Sequence, residues 1–164
     1  MNRPYRIKSV ADFIKSMRKR LGPNIMLGAD VITGFPGETI EDFNATRSFL
    51  ADNDFTNVHV FPFSERPGTP AATMAGSVPM DARRERARAI SEDAALRRRR
   101  FAESFIGREV EVCVESGGDH GWTNEYLQMR LASPRPRRSP VRTAVAAARD
   151  DILLELPIDS RQRI

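Results

Sequence analysis

The sequence predicts an α/β region followed by a small all-β module. Over the first 75 residues, helical apolar patterns alternate with strand-length apolar runs, as in βαβ units built around a parallel sheet. From Val110 onward, valines alternate with polar residues, which is the period-two pattern of a half-buried antiparallel strand. An arginine-rich stretch separates the two regions. With 164 residues, the chain has room for one ordinary domain or for parts of two.

Two helices and two strands are expected in the α/β region. The first helix is expected to begin near Ser9, with Asp12 three residues later as in a capping box. Strands are predicted at 25–33 and 58–63, and a second helix beginning at 39–42 has acids in its first turn, where the helix dipole favours them. Two parallel strands leave long unpaired edges, so residues 1–75 are expected to belong to a larger α/β domain.

A long arginine-rich helix is predicted from Asp81 to Phe105. Four consecutive arginines, 97–100, interrupt its apolar stripe. Such a run is most often a solvated helix face, and contact with phosphate is the alternative. The predicted organisation is an α/β portion at 1–78, a basic connecting helix at 79–106 and a β domain at 107–164.

In the β domain, a hairpin-type turn at 116–119 follows the valine strand. Leu127, Met129 and Leu131 alternate on the expected return strand, and 141–148 and 152–156 can supply two further strands. Between them lies a stiff basic segment, Ser-Pro-Arg-Pro-Arg-Arg-Ser-Pro at 133–140, which we call the Pro-Arg loop. A module of this size is near the lower limit for independent stability.

Composition limits the classes of protein. No apolar run approaches the roughly 20 residues that span a bilayer, and the N-terminus has no signal-peptide core, so we expect a cytoplasmic location and no membrane partner. Cys113 is the one cysteine, which rules out an internal disulfide or an iron-sulfur cluster built by this chain alone. His59, inside a strand, is expected to be a hydrogen-bonded core histidine, and His120 lacks a metal-ligand neighbour.

The best candidate for a ligand site is the segment Gly34-Phe35-Pro36-Gly37-Glu38. It lies after a buried strand and before a helix, where α/β sheets place their ligand sites and where helix amides are free to donate. Phe63, Ser64 and Arg66 follow the second strand in the same way. From the pattern alone, the favoured interpretation is a tight turn that needs glycine and proline for its backbone conformation, rather than a ligand site.

Two longer blocks carry a family resemblance. Asp30-Val31-Ile32-Thr33-Gly34-Phe35-Pro36-Gly37-Glu38-Thr39 is followed at 59–72 by His-Val-Phe-Pro-Phe-Ser, a glutamate and Arg-Pro-Gly-Thr-Pro-Ala-Ala. Together they resemble the radical SAM methylthiotransferases that modify tRNA. The opening Met-x-Arg-x-Tyr at 1–5 is similar to the segment before the same helix, and Gly121-x-Thr123-x-x-Tyr126 resembles the TRAM domain of that family. The His-Val-Phe-Pro variant is most like the branch acting on N6-threonylcarbamoyladenosine-37.

The resemblance implies the C-terminal part of a partial parallel β/α barrel, followed by a small OB-like TRAM barrel. It also implies methylthio transfer with S-adenosylmethionine and two 4Fe-4S clusters, whose ligand cysteines are absent from this chain. S-adenosylmethionine is expected near 34–38 and near Phe63, Ser64 and Arg66. The missing N-terminal portion of the same enzyme is an expected partner. A non-catalytic RNA-binding module and an inert truncated product stay open as alternatives.

For the β domain, the resemblance implies contact with a tRNA anticodon stem-loop rather than with DNA. Aromatic faces stack on unpaired bases and arginines meet phosphates. Trp122 is expected to be exposed, whereas Tyr126 either contacts RNA or fills the small barrel. The expected contacts are Trp122, Thr123, Tyr126, Arg130, Arg135, Arg137 and Arg138.

Overall fold

The computed structural model describes residues 4–155, and the chain divides into two compact units, 1–97 and 98–164. The first unit contains α1 (Ile7–Leu21), β1 (Leu27–Thr33), α2 (Ile40–Asp52), β2 (Phe55–Pro62) and a short 3₁₀ helix at Pro70–Thr73. The boundary falls within α3 (Met80–Glu103). The second unit contains β3 (Glu109–Val114), β4 (His120–Thr123), β5 (Gln128–Arg130), β6 (Pro140–Arg149) and β7 (Ile152–Glu155).

The first unit is a two-stranded parallel sheet covered on one face by helices. β1 and β2 pair in register from Ala29 with Val58 to Thr33 with Pro62. Alternate strand residues, Ala29, Val31, Val58 and Val60, pack against the core of the unit. Its buried members are Ile14, Phe43, Leu50, Phe55 and Ile90. The α/β prediction is confirmed at this level, and completion of the sheet into a partial β/α barrel stays a prediction.

Two details of the first unit differ from the sequence predictions. α1 begins at Ile7 rather than at Ser9, because Arg6 is the extended N-cap residue and its carbonyl already accepts from the Val10 amide. His59 is exposed rather than buried. It alternates with Val58 and Val60, which face the core, so its side chain lies on the opposite face of the sheet. The opening motif at 1–5 lies partly outside the described residues.

The start of α2 confirms its prediction. The Thr39 hydroxyl accepts from the Asp42 amide at 3.1 Å, and the Asp42 carboxylate accepts from the Thr39 amide at 3.1 Å. This reciprocal capping box satisfies two amides at the helix N-terminus. It also fixes the point at which the turn before α2 ends.

The second unit is a closed five-stranded barrel in the order β3-β4-β5-β7-β6. Its interior is apolar, with Val112, Val114, Leu127, Met129, Val145 and Leu153 almost completely buried. The prediction of a small all-β barrel is therefore confirmed. The proposed division into 1–78, 79–106 and 107–164 stays a prediction. Within residues 4–155, no helix is both long and apolar enough to cross a membrane.

The return strand of the first hairpin was misplaced by the sequence pattern. β3 pairs with β4, with Cys113 opposite Trp122. The predicted return strand at 127–131 contains β5 instead, which pairs with the other side of β4. The inward positions of β4 are Gly121 and Thr123, so this strand has no large apolar inward side chain to reveal it. The alternation of Val, Leu and Met residues therefore predicts β3 and β5, the two neighbours of β4, but not β4 itself.

Candidate functional site

The two predicted ligand loops lie together at the carboxyl edge of the parallel sheet. β1 ends at Thr33 opposite Pro62 of β2, and the Phe63 amide donates to the Thr33 carbonyl at 2.8 Å. Beyond this bond the rings of Phe35 and Phe63 meet edge to face, with centroids 5.2 Å apart. The structure therefore joins the segment 34–38 to Phe63 in one cluster.

Arg83 of α3 is the residue that holds this edge, and sequence reasoning missed it. Its side chain is 3% exposed and lies 5.3 Å from the centroid of the Phe63 ring. The guanidinium donates to the Phe63 carbonyl at 2.7 Å and to the Val78 carbonyl at 2.6 Å. It also donates to Glu65 at 2.7 Å and to the Ser77 hydroxyl at 2.9 Å. Arg83 thus ties the loop after β2 to the start of α3.

The same guanidinium affects the charge state of the neighbouring carboxylate. The hydrogen bond from Arg83 holds the pKa of Glu65 below its ordinary value. Glu65 is about half exposed, so solvent screens the pair and its contribution to stability is small. The ion pair of Glu65 is thus made with a residue of α3, eighteen positions further along the chain.

The turn before α2 is held by a second arginine of α3. Glu38 accepts from Arg86 at 2.5 Å and from the Gly34 amide at 2.7 Å. The amide of Gly37 donates to the Gly76 carbonyl at 2.8 Å, and that of Glu38 donates to the Phe35 carbonyl at 2.9 Å. The protein itself thus satisfies these loop amides, and at the helix start, where free donors were expected, the capping box uses the amides of Thr39 and Asp42. The only sequence signal for this role was the three-residue spacing of Arg83 and Arg86, which places both on one side of a helix.

Three of the predicted residues at this edge are accessible to a ligand. Gly37, Ser64 and Arg66 are exposed, and a Cβ placed on Gly37 would meet nothing within 4 Å. The others support them: Gly34, Pro36 and Phe63 are buried, while Phe35 and Glu38 are half-buried. Ser64 and Arg66 are therefore the exposed polar residues among those predicted at this edge, and a place for S-adenosylmethionine here stays a prediction.

The arginine run 97–100 is largely engaged within the protein. In the first unit, Arg97 donates to the Phe55 carbonyl at 2.8 Å, and burial lowers its pKa. In the second unit, Arg98 pairs with Asp151 at 2.5 Å, and Arg99 pairs with Asp150 at 2.9 Å. Arg97, Arg98 and Arg99 therefore each contact another residue of their own unit, and Arg100 is exposed.

A row of exposed side chains crosses three strands of the barrel. Trp122 of β4 pairs with Cys113 of β3, and Cys113 pairs with Pro140 of β6. Trp122 is 39% exposed and Tyr126 is 71% exposed. Cys113 and these two aromatics help to line a hollow of about 400 Å³. Of the two possibilities for Tyr126, filling the barrel is excluded.

The remaining predicted RNA residues fall into two groups. Arg130, Arg137 and Arg138 are exposed. Thr123 is 4% exposed, and its hydroxyl accepts from the amides of Glu125 and Leu127, so it holds the turn that presents Tyr126. Arg135 is half-buried and pairs with Glu155 at 3.0 Å.

The described residues do not fit an iron-sulfur cluster. Within 4–155 no group of three or more His, Cys, Asp or Glu side chains is placed to hold a metal ion. Cys113 is the one cysteine of the chain, and a 4Fe-4S cluster is held by several cysteine thiolates. No chemical step through such a cluster is therefore assigned to these residues.

Comparison with known proteins defines the class. The chain is 40% identical over 131 residues to the threonylcarbamoyladenosine tRNA methylthiotransferase MtaB of Rickettsia prowazekii (strain Madrid E), covering 80% of this chain and 30% of that protein. It is 37% identical over 139 residues to MtaB of Thermotoga maritima, covering 82% of this chain and 32% of that protein. No protein-family model matches the chain.

A second kind of relative differs in its substrate. The tRNA-2-methylthio-N(6)-dimethylallyladenosine synthase of Tropheryma whipplei (strain Twist) is 40% identical over 121 residues, covering 72% of this chain and 25% of that protein. The resemblance predicted from the two sequence blocks is thus confirmed: the chain is a relative of tRNA methylthiotransferases. It spans about a third or less of the length of these relatives.

Proposed function

We propose that this chain is the C-terminal fragment of a tRNA methylthiotransferase acting on N6-threonylcarbamoyladenosine-37. Its α/β unit supplies the last part of a partial β/α barrel on the S-adenosylmethionine side, and its small barrel binds the tRNA anticodon stem-loop. The names of the relatives support the reaction class. Identity alone does not separate the two substrates, since relatives of both kinds reach 40%. The His-Val-Phe-Pro block at 59–62 favours the threonylcarbamoyl branch.

RNA binding rests on the exposed row of the barrel. Trp122 and Tyr126 border one hollow, and Pro140 of the same row ends the Pro-Arg loop with its exposed Arg137 and Arg138. Stacking of a base on an aromatic ring contributes about 1–3 kcal/mol, and the phosphate contacts of arginines weaken with salt. This surface therefore offers stacking faces next to cationic groups, as single-stranded RNA requires.

The second candidate is a non-catalytic RNA-binding module. It is favoured by one observation, that the described residues do not fit the clusters. In this case the barrel would bind RNA with no need of an upstream portion. An inert truncated product would do neither.

The binding experiment uses the chain's one tryptophan. Titration with an anticodon stem-loop is expected to quench Trp122 fluorescence, and a DNA hairpin of the same sequence is expected to bind less well. By anisotropy of labelled RNA, Trp122→Ala should lower affinity about 5- to 150-fold, as the loss of about 1–3 kcal/mol of stacking predicts. Tyr5→Ala removes an exposed aromatic of the first unit and should leave affinity unchanged. Absence of binding at low salt would leave only the inert product.

The catalytic part needs a separate experiment. The chain is co-expressed with an upstream methylthiotransferase segment that carries the cluster cysteines, and methylthiolated adenosine is measured in tRNA by mass spectrometry. We expect the product only when both pieces are present. Iron and sulfide reconstitution of this chain alone should give no stoichiometric four-iron spectrum above a Cys113→Ser control. RNA binding without restored methylthiolation would favour the non-catalytic module.

A further inference from the structure

The Pro-Arg loop is held against the barrel by main-chain hydrogen bonds. The Arg135 amide donates to the Gly118 carbonyl at 2.8 Å. Further along, the Arg138 amide donates to the Val114 carbonyl at 2.9 Å. Arg138 has a φ of 58°, a left-handed conformation that is unfavourable for a residue with a side chain. The loop thus has a defined path, with a strained residue at its exposed end.

Glu155 at the end of β7 provides the side-chain attachment of this loop. Its side chain is 5% exposed, and a carboxylate so buried needs hydrogen-bond donors. One oxygen accepts from the Ala132 amide at 2.7 Å. The other accepts from Arg135 at 3.0 Å and from the Thr143 hydroxyl at 2.5 Å. Two of these donors, Ala132 and Arg135, lie just before and within the Pro-Arg loop.

The arginines at the tip of the loop are placed differently. Arg137 and Arg138 are exposed, and neither forms an ion pair with any residue between 4 and 155 that the structure describes. Arg135, by contrast, forms an ion pair with Glu155. The loop therefore has one arginine that anchors it and two that face solvent.

We infer that Glu155 is a positioning residue for RNA binding, holding the Pro-Arg loop so that Arg137 and Arg138 meet the phosphate backbone without first being ordered. This inference rests on the proposed RNA binding. Immobilising a flexible side chain on binding costs conformational entropy, and a loop already held in its bound shape avoids part of that cost. Glu155 touches no phosphate itself and acts through Arg135 and Ala132.

The test compares two glutamate variants with the same change in charge. Glu155→Gln removes a negative charge, which by itself should strengthen binding to RNA. Glu109→Gln makes the same change at an exposed position of β3 and serves as the control. We expect Glu155→Gln to bind the anticodon stem-loop about three- to tenfold more weakly than Glu109→Gln. The slope of log affinity against log salt should be the same in both, because the phosphate contacts are retained.

The loop arginines provide the contrasting result. Arg137→Ala combined with Arg138→Ala should reduce the salt slope by up to about 1.4, from about 0.7 for each phosphate contact to single-stranded RNA. In the free protein, Glu155→Gln should speed amide hydrogen exchange of Arg135 and Arg138 while the β3 and β6 amides keep their protection. If Glu155→Gln does not fold, Arg135→Lys keeps the charge, loses the fork geometry, and should give the same affinity loss.

The outcomes separate the inference from the proposed function. If the unmodified chain binds no RNA, the proposed function fails, and the inference falls with it. If it binds RNA but Glu155→Gln binds as well as the Glu109→Gln control, and Arg135→Lys binds as well as the unmodified chain, the proposed function stands and the positioning role is refuted. Faster exchange across the whole barrel would also refute it, since Glu155 would then only stabilise the fold.

Discussion

Substitution of Gly34 by alanine tests whether Arg83 really fixes the carboxyl edge of the sheet. A Cβ on Gly34 would lie 2.3 Å from Cγ of Arg83. Arg83 is buried and bonded to two carbonyls, so it has little freedom to withdraw. Overpacking of this kind costs about 1–3 kcal/mol. The φ of 70° at Gly34 adds about 1–2 kcal/mol for any residue with a Cβ.

Gly37→Ala is the matched control. Its φ is 86°, so it carries the same backbone cost of about 1–2 kcal/mol, but its Cβ would meet nothing within 4 Å. Gly34→Ala should therefore lower the free energy of unfolding by about 1–3 kcal/mol more than Gly37→Ala does. Urea unfolding followed by far-UV circular dichroism suits the measurement, because the one tryptophan lies in the other unit. Equal destabilisation by the two alanines would refute the argument that Arg83 is immobile.

Three further outcomes are expected. Arg83→Met should destabilise the first unit by about 1–3 kcal/mol for each carbonyl left without its donor, those of Phe63 and Val78, in urea unfolding. Arg84→Met, at an exposed neighbour, should change the free energy of unfolding little, and a similar effect of both would contradict the role of Arg83. His120 lowers the pKa of Asp119 through their hydrogen bond, so the stabilisation from this pair is present above the ordinary aspartate pKa and is lost as pH falls through the lowered value. The His120→Ala variant should therefore raise the pKa of Asp119 in a carboxyl NMR titration. An unchanged pKa would show that the pair does not form. Leu153→Ala should lower the free energy of unfolding of the barrel by about 2–5 kcal/mol, since this side chain is completely buried. The control is Leu96→Ala, at a position about half exposed, and an equal fall in the free energy of unfolding would contradict the placement of Leu153 in the barrel core.

The features that the sequence predicted well are those made by residues close together in the chain. The start of α2 at 39–42, with acids in its first turn, was predicted correctly, and so was the strand in which Val110, Val112 and Val114 face the barrel interior. Periodicity locates such elements. The capping box expected at Ser9 and Asp12 was wrong, because α1 begins at Ile7 and its N-cap residue makes no side-chain hydrogen bond. Periodicity was less informative where the inward positions are small or polar, as at Gly121 and Thr123 of β4.

The candidate site was harder to predict because its supports are distant in sequence and act through the backbone. Arg83 binds the carbonyl of Phe63, twenty residues away, and any residue type offers a carbonyl. The segment 34–38 was correctly placed beside Phe63, since parallel strands end at the same edge. That its amides would be used internally depended on Glu38 and on the carbonyl of Gly76, which no local pattern shows.

The barrel can close only after strand β7 has been synthesised. This strand is the last of the five strands to leave the ribosome, and it pairs with both β5 and β6, so the barrel cannot close while the chain is still short of it. The same strand ends in Glu155, which binds the Pro-Arg loop. A nascent chain can form the hairpin of β3 and β4 early, because that contact is local. Closure of the barrel and attachment of the loop to Glu155 both require that residue 155 has left the ribosome.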